Sequence, residues 1–104
     1  MPNSLKVFLD DVREPPEGWV LVRTAAEAIA VLETGNVTDL SLDHDLGDPV
    51  NGTGHDVACW IEEAVALRGF VPPTLSVHSA NPVGRQRMLD AIANIHRIQR
   101  GTRP

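Results

Sequence analysis

Three clusters of reactive side chains stand far apart in this sequence, each at the end of a short apolar run. Asp10-Asp11 follows Val7-Phe8-Leu9, Asp43-His44-Asp45 follows Leu40-Ser41-Leu42, and His78-Ser79-Ala80-Asn81 follows Leu75-Ser76-Val77. Carboxylates gathered in one place repel each other, and a bound cation is the common way to keep them ionised together. Asp10, Asp11, Asp43 and Asp45 are therefore candidate ligands of a divalent cation. Hard oxygen donors suit magnesium first, with manganese or calcium as alternatives, better than zinc. His44 lies between two of the acids and His78 ends the fourth apolar run, so either can act as general acid or base near neutral pH.

A second feature complements the first. Asn81-Pro82-Val83-Gly84-Arg85 reads as a helix start, where free backbone N–H groups and the helix dipole favour an anion. Gly84 permits close approach, Arg85 can fork onto a phosphate, and Ser79 and Asn81 can donate hydrogen bonds to phosphoryl oxygens. A cation site beside an anion site is what phosphoryl chemistry requires. Ser79, His78 and Asp43 formally supply a Ser-His-Asp set, but no G-x-S-x-G turn presents the serine as a nucleophile. His55 falls in the first turn of a helix and His96 near the end of another, and neither is assigned a catalytic role.

The elements that must position these groups follow from the pattern. Residues 6–11, 19–23, 39–43 and 74–79 are short runs rich in strand formers. Arg13-Glu14-Pro15-Pro16-Glu17-Gly18 breaks regular structure, because neither proline donates a hydrogen bond and the residues before them favour extended backbone. Thr24 with Glu27 forms a capping box for a helix through about Glu33, closed by Gly35, with Ala25, Ala28, Ile29 and Leu32 on its apolar face. Thr53 with Asp56 opens a second helix that runs to about Arg68 and stops at Gly69, with Val57, Trp60, Ile61, Ala64 and Val65 inward. Asn81 as N-cap and Pro82 in the first turn start the last helix, whose buried face is marked by Met88, Leu89, Ile92 and Ile95. Strands alternating with helices predict an α/β three-layer sandwich, a short parallel sheet of about four strands joined by right-handed crossovers. Ligands bind such sheets beyond the carboxyl ends of the strands, which is where all three clusters fall.

Size and composition bound the rest. The 104 residues suit one domain, with 42% hydrophobic and 22% charged residues and no apolar run long enough for a membrane span. The first residues, Met1 to Lys6, show no export signal, so a cytoplasmic location is expected. Cys59 excludes an intrachain disulfide and, among Val57, Ala58, Trp60 and Ile61, reads as a small core residue. The net charge is −5, and residues 1–84 hold four basic and thirteen acidic side chains. Such a surface repels a polyanion, which excludes non-specific DNA binding as a role. The five arginines after residue 84 read as a solvated last helix with a frayed basic tail.

The acid pair after the first strand, the single acid after the third and the hydroxyl residue after the fourth resemble the receiver domain of two-component response regulators. That resemblance implies a flavodoxin-like fold, magnesium at Asp10, Asp11 and Asp43, a phosphoryl group accepted by Asp43 and a contact from Ser79. The chain departs from it in three ways: its only lysine is Lys6, a loop replaces the first receiver helix, and it stops where a fifth strand and helix would come, a truncated receiver. The blocks Leu9-Asp10-Asp11-Val12-Arg13-Glu14-Pro15-Pro16, Ser41-Leu42-Asp43-His44-Asp45-Leu46-Gly47, Thr53-Gly54-His55-Asp56 and His78-Ser79-Ala80-Asn81-Pro82-Val83-Gly84-Arg85 resemble, more specifically, the cyclic-phosphate processing receiver-like family. This implies a phosphate-bearing substrate of the class of cyclic phosphates on nucleotides or RNA ends.

The expectation is a metal-dependent hydrolysis or transfer of such a phosphate. Asp10, Asp11, Asp43 and Asp45 hold the cation, His44 or His78 moves the proton, and Ser79, Asn81 and Arg85 hold the phosphoryl oxygens. Whether Asp43 or a water attacks is left open by the sequence. The alternative is a non-catalytic module that binds a phosphorylated ligand or a protein partner, and an exposed edge strand also suits a homodimer.

Overall fold

Apolar residues two apart on neighbouring strands set the register of the sheet. A computed structural model describes residues 4–101, with strands β1 (Leu5–Leu9), β2 (Val20–Val22), β3 (Val37–Leu42) and β4 (Thr74–Val77). The strands are parallel in the order β2-β1-β3-β4, and Val7 pairs with Leu40 as Leu9 pairs with Leu42. Leu40 and Leu42 in turn pair with Leu75 and Val77. One face of the sheet is thereby apolar throughout.

Three helices cover that face: α1 (Ala25–Leu32), α2 (Gly54–Arg68) and α3 (Pro82–Gly101). Both expected capping boxes are present, Thr24 with Glu27 and Thr53 with Asp56, and Gly69 ends α2 in the left-handed conformation at φ 65°. Such N-caps each contribute about 0.5–2 kcal/mol. All three helices send buried residues into one cluster with Val7, Leu9, Val22, Leu40 and Leu42. A fully buried side chain such as Leu42 or Ile61 contributes roughly 1.5–3 kcal/mol.

The parallel α/β receiver-like class is as the sequence implied, but with one helical layer instead of two. Moving from β2 to β3 and from β3 to β4 advances in the same direction across the sheet, so right-handed crossovers place α1 and α2 on the same side. The step from β1 to β2 goes the other way, and there residues 10–19 form a loop with no helix. The opposite face carries Phe8, with Trp19 from that loop packed edge-on against it at 6.3 Å. Among the described residues no helix lies on this side.

Four side chains sit differently from expectation, the first being Ile29, which is only half-buried beside the α1 stripe of Ala25, Ala28 and Leu32. Leu89 is 37% exposed, because α3 turns Gly84, Met88, Ala91, Ile92 and Ile95 inward and Leu89 falls beside that stripe. Cys59 is exposed, since α2 buries Val57, Ala58, Ile61, Ala64 and Val65 and leaves position 59 on its outer flank. Trp60 is only partly buried, against Phe70 at 5.4 Å and under the Arg68 guanidinium at 5.2 Å. The export reading of Met1 to Asn3 and the frayed tail Thr102 to Pro104 lie outside the described residues, while Gly101 is the last residue of α3. Among the described residues no helix is long and apolar enough to cross a membrane.

Candidate functional site

β1 delivers Asp10 to the rim. Its backbone N–H still bonds to Val22, and its side chain then turns the chain by accepting the backbone N–H groups of Val12 and Arg13 on Oδ1, both at 2.9 Å. Asp10 is 1% exposed, and its other oxygen, Oδ2, faces His78 Nε2 at 3.0 Å. Burial pushes its pKa up, but the two backbone N–H groups and His78 outweigh this and hold the carboxyl below its ordinary value. The Arg13 guanidinium stands at the mouth, its Nε 4.0 Å from Asp10 Oδ2 and its Nη1 3.5 Å from the His78 carbonyl.

β3 delivers Asp43 beside Asp10. Its backbone N–H bonds to the Leu9 carbonyl, and its Oδ1 accepts the His44 N–H at 2.9 Å. Burial, then the charge of Asp10, raises its pKa, with a smaller push from Asp11, against the opposing pull of the His44 N–H and His78. The first turn of α2 fixes this backbone from the other side. A Cβ at Gly54 would lie 1.9 Å from the Asp43 carbonyl oxygen, so only glycine fits there.

β4 delivers His78, and three neighbours hold its ring. Phe8 stacks on it at 4.1 Å and 7°, Ser41 Oγ lies 2.7 Å from Nδ1, and Asp10 meets Nε2. Asp10, Asp43 and His78 each present one ligand atom, and these atoms all lie within 4.8 Å of one another. Two carboxylates and an imidazole form a donor set fit for a divalent cation, which would offset both the burial and the neighbouring Asp10 charge that raise the pKa of Asp43.

The other expected residues lie apart from this group. Asp11 stands near the Gly47 loop, since a Cβ on Gly47 would come 3.4 Å from its Oδ2. Asp45 is 66% exposed and pairs with His44 Nδ1 at 2.9 Å. His44 and Asn81 draw its pKa down. The chain bends away after Asp43 through an antiparallel bridge between Asp45 and Thr53, which carries Asp45 off the rim. His44 is pinned under α3, where a Cβ on Gly84 would reach 2.3 Å from its ring. The structure thus brings His78, and not His44, to Asp10 and Asp43.

Ser79, Asn81 and Arg85 meet at the start of α3, where they serve the fold. Asn81 Oδ1 accepts the Val83 and Gly84 N–H groups, both at 3.1 Å, while its Nδ2 donates to Asp45. Ser79 Oγ accepts the Asn81 N–H, leaving its own proton to donate. Arg85 Nη1 donates to the Val77 carbonyl at 3.2 Å. The helix N-terminus is therefore capped from within.

Ser41, Phe8 and Arg13 escaped the sequence reading. Ser41 and Phe8 look like ordinary strand residues until the register places them opposite each other on the face away from the helices. The one signal was a hydroxyl between Leu40 and Leu42 in an otherwise apolar strand end. Arg13 read as part of a breaker loop.

A parallel sheet in the order β2-β1-β3-β4 with paired acids at the ends of β1 and β3 defines a receiver-like domain. Within that class, the family model for the cyclic-phosphate processing Receiver domain matches residues 5–94, and the chain belongs to this family. No curated protein and no solved structure matches it.

Proposed function

We propose that the chain carries out metal-dependent hydrolysis or transfer of a cyclic phosphate borne by a nucleotide or an RNA end. The family supplies the link to cyclic phosphates. The observation that carries the reading is the convergence of Asp10, Asp43 and His78.

In this reading Asp10 and Asp43 hold a divalent cation, magnesium or manganese, with His78 Nε2 facing the same space and Asp11 adding charge from outside. When bound, the cation supplies positive charge against the phosphoryl oxygens. Arg13, exposed at the mouth beside Asp10 and the His78 carbonyl, is the side chain best placed to meet an incoming phosphate. Ser79 retains a hydroxyl proton to donate to the same group. Asp45, His44 and Asn81 brace the loop after β3 against α3 and so keep Asp43 in place.

The test is incubation with 2′,3′-cyclic and 3′,5′-cyclic mononucleotides and with RNA ending in a cyclic phosphate, in magnesium or manganese, followed by phosphorus NMR. The expected result is a phosphate monoester or diester product that Asp43→Asn abolishes. Saturable binding without product would instead identify a non-catalytic phosphate-binding module, and neither turnover nor binding across these ligands would sink both readings.

A further inference from the structure

Charge is divided unevenly along this chain, and α3 is its one basic element. Residues 1–84 carry four basic and thirteen acidic side chains, whereas α3 carries Arg85, Arg87, Arg97 and Arg100 against a single acid, Asp90. Among the described residues none of these arginines forms an ion pair. Arg85 donates to the Val77 carbonyl and Arg97 to Asn94 Oδ1, so both are held by neutral acceptors. Asn94 also donates to Glu62, which keeps that acid one side chain away from Arg97.

The arginines are set along the helix at a useful spacing. Arg85, Leu89, Ala93 and Arg97 follow one another at four-residue steps and Arg100 comes three residues later, so the five form one stripe, and all are exposed. At about 1.5 Å per residue the stripe runs for about 22 Å. Its start lies at the candidate site, because Arg85 bonds to Val77, the residue before His78. Its far end is a groove of about 290 Å³ lined by Arg97 and Arg100 with Asp90, Ala93 and Asn94. The acid in that groove accepts Gln86 Nε2 at 2.9 Å, which takes up one of its oxygens. Guanidinium groups along a line, with the apolar Leu89 and Ala93 between them, fit a row of phosphates joined by sugars.

We propose that this outer face of α3 holds the sugar-phosphate strand leading to the reacting phosphate, so that the ligand is the end of a single-stranded RNA and not a free nucleotide. The inference rests on the phosphate site proposed above and specifies what that site receives. A 2′,3′-cyclic phosphate needs the ribose 2′-hydroxyl, which makes such a strand RNA. The acidic remainder of the surface turns a polyanion away, so a strand anchored at its end is confined to α3.

The test compares three probes on the full chain with manganese: a 2′,3′-cyclic mononucleotide, an RNA of about eight nucleotides ending in the same cyclic phosphate, and that RNA ending in a 3′-hydroxyl. KM is read, or Kd where no product forms. The cyclic-ended RNA is expected to bind roughly tenfold more tightly than either other probe, with log K falling against log salt at a slope of about −2 for contacts from Arg85, Arg97 and Arg100. Joint Arg97→Gln and Arg100→Gln is expected to remove most of that preference and about 1.4 of the slope, while kcat and the mononucleotide KM hold. Joint Arg97→Lys and Arg100→Lys, which keeps the charge, recovers much of the slope. Equal affinity for cyclic-ended RNA and mononucleotide, or an RNA affinity untouched by the glutamine pair, overturns the inference and leaves the cyclic-phosphate reading standing; the basic face then suits an acidic protein surface. Equal affinity for the two RNAs overturns the link between this face and the site. A parent chain that engages none of the three probes removes the site and the inference together.

Discussion

His78 Nε2 and Asp10 Oδ2, 68 residues apart in sequence, lie 3.0 Å apart at the rim of the sheet. Asp10 therefore serves two structures, the turn after β1 and the ring at the end of β4. Replacement by alanine leaves the Val12 and Arg13 N–H groups and the imidazole without their acceptor, at a cost of about 1–3 kcal/mol. Asp10→Asn keeps the turn, so urea denaturation is expected to show a smaller loss, while cation binding falls as steeply as in Asp10→Ala.

Buried Asp10 and half-buried Asp43 respond to pH in opposite senses. Asp10 has a folded pKa below its ordinary 3.8, so its stabilisation is complete above that value and is lost as pH falls through the lower folded one. Asp43 has a folded pKa above 3.8, so ionising it opposes folding, and that penalty is fully present above the raised value. In chelator, Asp43→Asn is expected to be more stable than the parent at pH 7 and to lose this advantage in acid. Urea midpoints measured across pH decide it, and a destabilised Asp43→Asn at neutral pH counts against the penalty of burial and repulsion on the Asp43 charge.

A cation that binds only the folded chain adds about 2.7 kcal/mol at one hundred times its dissociation constant. For a domain of this size that corresponds to a rise in Tm on the order of 10 °C. Thermal unfolding with manganese is expected to show the rise, chelator to reverse it, and Asp10→Asn and Asp43→Asn to remove it.

Gly84 leaves room for His44 and nothing else, since a Cβ there would lie 2.3 Å from the ring. Gly84→Ala is expected to cost about 1–3 kcal/mol by overpacking. Adding His44→Ala should recover part of that loss, and strictly additive effects in the four-way comparison would show that the two residues do not compete for space.

Cys59 lies on the flank of α2 beside His55, at 3.6 Å from Nε2. Its removal as Cys59→Ser is expected to change stability by no more than about 0.5 kcal/mol, as for other exposed sites. Partial burial, with the charges of Glu62 and Asp56, pushes the thiol pKa above its ordinary 9.0. A thiol reagent is therefore expected to modify the native chain slowly at neutral pH and faster as pH rises.

Local chemistry was legible in the sequence because it acts over a few residues. Thr24 with Glu27 and Thr53 with Asp56 cap helices through contacts three positions apart, and the apolar runs name the strands by composition alone. The placing of acids at strand ends was legible from the alternation of strands and helices, and the family resemblance from the sequence blocks around Asp10, Asp43 and His78. Helix faces were less secure at their margins, where one residue of rotation separates Leu89 from the buried stripe of Met88 and Ile92.

The sequence by itself determined which residues could do chemistry and which edge of the sheet they would reach. Only the tertiary structure decided which of them meet. Asp45 and His44 share an edge with Asp43 but turn towards Asn81 and Gly84, whereas Ser41 and Phe8, unremarkable in sequence, close around His78. Strand register and loop path set these contacts. They act over distances of a few ångströms between residues tens of positions apart, a relation that no spacing along the chain encodes.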